Sequence, residues 1–455
     1  MPDANSASGQ SDTIAAIATP AGAGGLGVVR LSGPRAAAIA RQLLPGCELH
    51  PWRLRQAWWR EAGDGLRDQV LVAYFPAPRS YTAEDVVEIS AHGAPVVLRR
   101  LLAACLERGA RLAEAGEFTR RAFLNGRMDL VQAEAVRDLI AAQTVAQARN
   151  AARQMEGSLS RLVQPQKQEL KELIARLEAG IDFADDDVSP PAAESIAAPL
   201  AAMRPRLERL AGSYREGRWL AQGALLAIIG RPNAGKSSLF NALLQRERAL
   251  VSPLPGTTRD VITETLELAG VPVTLADTAG LRREGESLEV LGMAKSREMM
   301  AEADLVLAVF DLSQPLEHDD YELAARVREL PRAFAAANKC DLPAAWKAEE
   351  LGLAAPAVSA RTGEGLEALT ASLGRRLRPD GEEDQLWITH QHQAQHLAAA
   401  AAALERAEAG LGLAVPHEAL LVDLYAGLHE LDALTGQTTV EDILGLIFST
   451  FCIGK

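Results

Sequence analysis

Residues 225–237 read LLAIIGRPNAGKS. Leu225–Ile229 is an apolar run of strand length, and Ser238–Leu244 behind it carries amphipathic helical spacing. Between them, Gly230-Arg231-Pro232-Asn233-Ala234-Gly235-Lys236-Ser237 fits G-x-x-x-x-G-K-[ST] in the strand–loop–helix context that motif requires. Gly230 and Gly235 let backbone N–H groups curl around phosphate oxygens at a helix N-terminus. Lys236 can reach β- and γ-phosphates, and the Ser237 hydroxyl can ligate Mg²⁺.

Working outward, residues 224–375 alternate strand and helix patterns, the mark of an α/β sheet domain. Three further segments follow in the order a GTPase needs. Gly256-Thr257-Thr258-Arg259-Asp260 offers a threonine hydroxyl to Mg²⁺. Asp277-Thr278-Ala279-Gly280 closes the strand Val273–Ala276, so Asp277 can hold Mg²⁺ through water and Gly280 can offer its N–H to a γ-phosphate. Asn338-Lys339-Cys340-Asp341 closes another strand. The Asp341 carboxylate can accept from both guanine N1 and N2, a donor pair adenine lacks, which selects GTP over ATP. Ser359-Ala360 can complete the base pocket. The glutamine that often orients the attacking water is replaced by Leu281, which leaves Glu284, Glu286 and Glu289 as candidates. Arg259, Arg282 and Arg283 lie nearby, but arginines on such loops are usually solvated.

The flanks differ in composition. Residues 13–33 read as strand, Gly-rich turn and strand, with further strands at Asp68–Phe75 and Asp85–Ser90 and a helix at Val96–Arg108. Asp129 to Gly180 is Ala/Glu/Gln/Arg/Leu-rich with helical spacing, as are Ala193–Arg218, Gln391–Ala409, Pro416–Leu434 and Thr439–Phe451. Asp182–Pro191, including Asp185-Asp186-Asp187, reads as a solvated joint. Helices on both sides of the α/β segment imply an α/β domain inserted into a helical one. His390, His392 and His396 do not share one helical face, and they read as solvated.

The 455 residues suit about three domains. Apolar runs stop well short of a membrane span, Met1–Asp12 has no signal-peptide pattern, and the four cysteines form no CxxC pair. Together these point to a cytoplasmic protein with reduced thiols. Residues 1–127 hold 15 Lys+Arg against 12 Asp+Glu, and the whole chain is −13. That balance excludes a general nucleic-acid coat and leaves the N-terminal region as the net-positive part.

The segments SYTAEDVVEISAHG (80–93), GEFTRRAFLNGRMDLVQAEAVRDLI (116–140), GIDFADDD (180–187) and the terminal FCIGK, together with the nucleotide motifs, closely resemble the MnmE (TrmE) family of tRNA-modification GTPases. The resemblance covers essentially the whole chain. It implies a multidomain α/β plus α fold: an N-terminal α/β folate-binding and dimerisation domain over 1–127, an all-helical domain from 128–220 and 380–455, and an inserted P-loop GTPase domain over 221–379. It also implies a homodimer that works in a heterotetramer with MnmG (GidA), which alone carries FAD. Their product is an aminomethyl or carboxymethylaminomethyl group at C5 of the wobble uridine of certain tRNAs. The carbon donor is 5,10-methylene-tetrahydrofolate or its 5-formyl relative.

By that resemblance the GTP contacts are Asn233, Ala234, Gly235, Lys236, Ser237 and Ser238, the covering loop Ser252, Pro253, Leu254, Pro255, Gly256, Thr257 and Thr258, then Asp277, Thr278, Ala279 and Gly280. The base is met by Asn338, Lys339, Cys340, Asp341, Ser359, Ala360 and Arg361. Ser237 and Thr258 match the Mg²⁺ ligands. Asn233, Ser252, Leu254 and Thr257 match a K⁺ site that replaces an arginine finger when two G domains meet. Glu289 matches the glutamate that positions water, acting with Lys236. Arg30, Glu88, Arg127 and Lys455 match folate contacts, with Cys452 beside them. Two other functions compete: a regulatory ribosome-assembly GTPase, for which no basic RNA-binding domain is visible, and a folate-dependent aminomethyltransferase with an appended G domain.

Overall fold

In a computed structural model of the chain, the described residues are 12–61, 65–182, 192–246, 262–277, 300, 302–377, 386–413, 415–437, 451 and 454. The chain falls into two compact units. One gathers residues 1–137, 154–164 and 431–455, and the other 138–153 and 165–430.

The first unit is built on a six-stranded sheet of β1 (Ile14–Ile17), β2 (Gly24–Ser32), β3 (Arg55–Arg60), β4 (Arg67–Phe75), β5 (Val86–Gly93) and β6 (Arg111–Leu112). The order is β3-β4-β5-β2-β1-β6, antiparallel except for the β1–β6 pair. Burial alternates along β4, as one covered face demands. Val70, Val72, Val87, Ile89, Val29, Leu31 and Trp59 pack there against Ile39 of the helix Ala36–Leu43 and Leu98 and Leu101 of the helix Pro95–Glu107. Strand β3 and the helix Ala36–Leu43 are additions to the sequence reading. The Arg-rich exterior of β3 and the alanines of that helix mask their periods.

The second unit holds a sheet of β7 (Ala224–Ile229), β8 (Ile262–Leu268), β9 (Val271–Asp277), β10 (Leu305–Asp311), β11 (Ala333–Asn338) and β12 (Ala357–Val358). Its order is β12-β11-β10-β7-β9-β8, parallel but for the antiparallel β8–β9 pair. A parallel sheet is covered on both faces, so its strands read as unbroken apolar runs. Every residue of β10 up to Phe310 is buried. From β7 the chain builds β8 and β9 on one side and then crosses to β10 on the other. The loop after β7 therefore sits at the switch point of an open α/β sheet, where a crevice opens at the strands' C-terminal ends.

The helical stretches divide more finely than their composition suggests. Residues 129–180 form the helices Leu130–Ala141, Val145–Met155 and Ser158–Asp182. The last break falls at Gly157, whose φ of 80° no helix continues. Residues 193–218 divide at Ser213 into Ala193–Gly212 and Tyr214–Gln222. Gln391–Gly412 and His417–Thr435 match expectation. Within the second unit, Ala193–Gly212 buries Ile196, Leu200, Met203 and Leu207, while Gln391–Gly412 buries Leu397, Ala400, Ala401, Leu404 and Ala407. Arg204 and Glu408 join the two helices at 3.0 Å. The readings for residues 183–191 and 439–450 lie outside the described residues. No helix among the described residues is long and apolar enough to cross a membrane.

The histidine reading needs correction. His390 Nε2 lies 2.9 Å from Asp138 Oδ2, and His396 Nδ1 lies 2.7 Å from Glu430 Oε2. The His390 and His392 rings are 5.7 Å apart, and those of His392 and His396 are 6.2 Å apart. His390 is the residue before the helix, in extended conformation, so helical angles do not apply to it.

Candidate functional site

The loop from Gly230 to Gly235 is shaped by positions few side chains tolerate. Gly230 has φ of 149°, and a Cβ there would lie 2.3 Å from the Val309 carbonyl oxygen. Gly235 has φ of 90°, and its Cβ would lie 2.2 Å from Asn338 Nδ2. Asn233 takes the left-handed region at φ 64° without being glycine, and its side chain is exposed. The helix Lys236–Arg246 starts at the loop's end, so its first N–H groups face the crevice. Lys236 is buried, and its Nζ donates to the Arg231 carbonyl at 2.7 Å. Ser237 and Ser238 are exposed in the first turn.

Three strand ends meet this loop. Asn338, 1% exposed, donates from Nδ2 to the Ala234 carbonyl at 2.9 Å and accepts at Oδ1 from Ala360 N–H at 3.1 Å. It thereby ties the loop after β7 to the segment after β12. Removing its amide would strand the buried Ala234 carbonyl, at about 1–3 kcal/mol, and the half-buried Ala360 N–H. Asp341 is exposed and accepts at Oδ1 from the Ser359 hydroxyl at 2.7 Å. Ser359 Oγ in turn accepts from Thr362 N–H at 3.1 Å. Burial first, and then Glu364 and Asp341 nearby, push the Cys340 thiol up, which keeps it protonated. Arg361 is exposed. Asp277 ends β9 opposite Ile228 of β7.

Two partnerships here had escaped sequence reasoning. Asp311 ends β10 in register with Asn338 and pairs with Lys339 at 2.6 Å. Burial pushes its carboxyl up, but the Lys339 ammonium and the Ser313 hydroxyl and N–H outweigh that and hold it below the usual aspartate range. In sequence it is a lone acid closing an apolar run, and only the β10–β11 register ties it to Asn338 and Lys339. Arg231 is held by Asp320 at 2.9 Å and Glu317 at 2.6 Å. Ser252 to Thr258, Thr278, Ala279, Gly280, Leu281 and Glu284, Glu286 and Glu289 lie outside the described residues, as do Arg259, Arg282 and Arg283.

A second cluster lies in the first unit. Arg30 of β2 stands directly across from Glu88 of β5, with Nη2 2.7 Å and Nε 2.8 Å from Glu88 Oε1. The guanidinium carbon sits 5.5 Å from the Tyr81 ring centroid and 5.6 Å from that of Phe118. Arg30 Nη1 donates to the Gly454 carbonyl at 3.3 Å. Gly454 has φ of 98°, and a Cβ there would be 2.4 Å from the Ile17 carbonyl oxygen. Arg127 is exposed after the helix Glu117–Leu124 and makes no hydrogen bond or ion pair with Arg30 or Glu88. Lys455 and Cys452 lie outside the described residues.

Behind Arg30 is an ionic network whose centre, Arg121 and Glu117, is buried and whose outer members, Asp12 and Arg111, are open to solvent. Arg121 meets Asp12 at 2.6 Å, Glu117 at 2.9 Å and Glu84 at 3.2 Å, while Arg111 meets Glu117 at 2.7 Å. Burial pushes the Glu117 carboxyl up, but Arg111, the Glu114 N–H and Arg121 more than offset this and leave it low. Burial also pushes the Tyr81 hydroxyl up. Tyr81, Phe118 and this network were not singled out from sequence, though all but Asp12 and Arg111 lie within the quoted SYTAEDVVEISAHG and GEFTRR segments.

A family model described as the GTP-binding protein TrmE N-terminus matches residues 13–127, and one described as the MnmE helical domain matches residues 130–452. The tRNA modification GTPase MnmE of Koribacter versatilis (strain Ellin345) is 49% identical over 451 residues, covering 98% of this chain and 99% of that protein. The protein of the same name from Geobacter sulfurreducens is 40% identical over 453 residues, with the same coverage. Among solved structures, the G domain of the T. maritima FeoB iron transporter is 30% identical, covering 33% of this chain and 96% of that one with a TM-score of 0.26.

Proposed function

The chain belongs to the MnmE family of tRNA modification GTPases, and from that premise we propose that it hydrolyses GTP at the crevice of its parallel sheet to drive modification of the wobble uridine of tRNA. The observation that carries the nucleotide site is Asn338, which joins the phosphate-type loop to the segment holding Asp341 and Ser359. The GTP contacts are Asn233 to Ser238, Ser252 to Thr258, Asp277 to Gly280, Asn338 to Asp341 and Ser359 to Arg361. Gly230 and Gly235 keep the loop in the shape that suits a triphosphate, because a Cβ at either would collide with the Val309 carbonyl or Asn338 Nδ2 and push the backbone N–H groups out of place. Asp341 accepts from guanine N1 and N2.

Ser237, exposed beside Lys236, suits an Mg²⁺ ligand, with Thr258 as its partner. Bound there, the ion neutralises charge on the β- and γ-oxygens. Asn233, exposed in its left-handed turn, suits a K⁺ ligand together with Ser252, Leu254 and Thr257. Bound there, K⁺ supplies the charge an arginine finger would. Lys236 binds the phosphates, and Glu289 aligns the attacking water.

The domain bounds are 1–127, 128–220 with 380–455, and 221–379. The first domain binds a reduced folate, 5,10-methylene- or 5-formyl-tetrahydrofolate. Glu88 accepts from the pterin amino groups, while Arg30, Arg127 and Lys455 meet its carbonyl edge or glutamate tail, with Cys452 nearby. The Arg30–Glu88 pair, with two aromatic rings near the guanidinium, supports this reading. The same domain forms the homodimer, which acts with the FAD-carrying MnmG (GidA) in the cytoplasm.

The deciding experiment is nucleotide titration of Asp341→Asn. The amide offers one acceptor where the carboxylate offered two. GTP affinity should fall about 100-fold, and xanthosine triphosphate affinity should rise. Unchanged GTP affinity overturns the assignment.

A further inference from the structure

Lys339 is fixed at both ends of its side chain. Its backbone is left-handed, at φ 68°. Its ammonium lies 2.6 Å from Asp311 Oδ2. Asp311 is itself fastened: Oδ1 accepts from Ser313 N–H at 2.9 Å and from Ser313 Oγ at 2.7 Å. Its main-chain carbonyl accepts from the buried Trp346 Nε1–H at 2.8 Å. The pair is only partly open to solvent, at 30% for Lys339 and 16% for Asp311. Lys339 Cε lies 3.9 Å from where a Cβ on Gly235 would stand, which is ordinary packing distance. The methylene stem therefore leaves the end of β11 and brings its last carbon beside the phosphate-type loop, where the ammonium meets the end of β10. Asp341 follows two residues later.

We propose that Asp311 is a positioning residue for the nucleotide: it clamps the Lys339 stem as an apolar ledge for the flat face of the guanine ring. This rests on the guanine reading of Asp341 above. A lysine stem left free samples many rotamers, and binding has to freeze them. A stem already frozen by Asp311 spares the ligand that cost, which is preorganisation. The clamp also keeps a strongly hydrated ammonium off the phosphates, where Lys236 already serves. A ledge touches the ring plane and not its edge, so it supports every oxopurine alike, whereas Asp341 reads the edge. An ion pair that merely braced β10 against β11 would instead affect the whole crevice, the phosphate loop included.

The test uses the full-length protein and fluorescent GDP, displaced by GDP, inosine diphosphate, ADP and pyrophosphate. Asp311→Asn keeps the shape and a Ser313 acceptor while removing the charge. It should weaken GDP and inosine diphosphate by one common factor, about tenfold. Pyrophosphate binding should stay within twofold. Adding Asp311→Asn to Lys339→Ala should cost no more than Lys339→Ala alone. Asp311→Ala should match Asp311→Asn, and the isosteric variant decides if the alanine protein does not fold. Unchanged GDP affinity, a parallel loss of pyrophosphate, a changed ratio of GDP to inosine diphosphate, or additive losses in the double variant each overturn the proposal. A wild-type protein that binds ADP as well as GDP removes the guanine site and this proposal with it. Wild-type discrimination with an indifferent Asp311→Asn removes this proposal alone.

Discussion

The two sheets of this molecule assemble their polar clusters by opposite means. In the parallel sheet, the cluster hangs from the C-terminal ends of β7, β9, β10 and β11, and each end brings its polar residues in one short run. In the antiparallel sheet, Arg30, Tyr81, Glu88, Phe118 and Gly454 are brought together from four separate stretches. The first depends on backbone shape, the second on side chains held across strands. A change at the exposed members of the parallel-sheet cluster, away from the buried Asn338, should therefore act on chemistry with little loss of fold. A change behind Arg30 should act on the fold first.

The largest expected effect tests the chemical half of that contrast. Glu289→Ala should slow GTP hydrolysis about 1000-fold, since alignment of a reacting water is worth several kcal/mol of barrier. GDP affinity should stay near normal. A normal rate would return the role to Glu284 or Glu286. Next comes the structural half. Arg121→Ala takes the cation from half-buried Glu84 and one of two from buried Glu117, which keeps Arg111, and chemical denaturation should show a loss of about 3 kcal/mol. GTP hydrolysis by the protein that remains folded should be unaffected. A loss below about 1 kcal/mol would mean that the network is replaceable and the contrast false.

A smaller effect, about tenfold, is expected at Arg30→Ala. Titration calorimetry with 5-formyl-tetrahydrofolate should show the weakening while GTP affinity stays put. Coupled losses of both ligands would break the separation of the two clusters. Exchanging K⁺ for Na⁺ should slow hydrolysis several-fold in the wild type and make no difference in Asn233→Ala. The smallest effect concerns acid. Asp12 and Glu117 sit below their ordinary values of 3.8 and 4.5 when folded. Their contribution is present above those values and is lost as pH falls through and below them. Melting curves should show the stability decline beginning below about pH 4.5 and reduced in Glu117→Gln. An equal acid slope in that variant would take Glu117 out of the account.

The same contrast explains what could be read from sequence. Gly230 to Ser237 and Asn338 to Asp341 announce themselves because a loop that wraps phosphate needs glycine at fixed spacing, and strand ends follow apolar runs. Their tertiary partners did not announce themselves. Asp311 is a lone acid until the β10–β11 register sets it beside Asn338. Tyr81 and Phe118 are ordinary aromatics until folding puts both rings against Arg30. His390 shows the converse error, in which a helical rule was applied to a residue outside the helix. Arg127, carried over by resemblance, stands exposed and unpaired with Arg30 or Glu88.

The close approach of Gly235 to Asn338 constrains how this site can change over generations. An alanine at 235 cannot come first, because its methyl would meet Asn338 Nδ2 at 2.2 Å. A smaller residue at 338 cannot come first either, because the Ala234 carbonyl and Ala360 N–H would lose their partner. Either order passes through a crippled intermediate, so single steps of selection do not reach the pair. Positions 103 residues apart are thus inherited as one character, and lineages of this crevice should differ around the lock far more readily than within it.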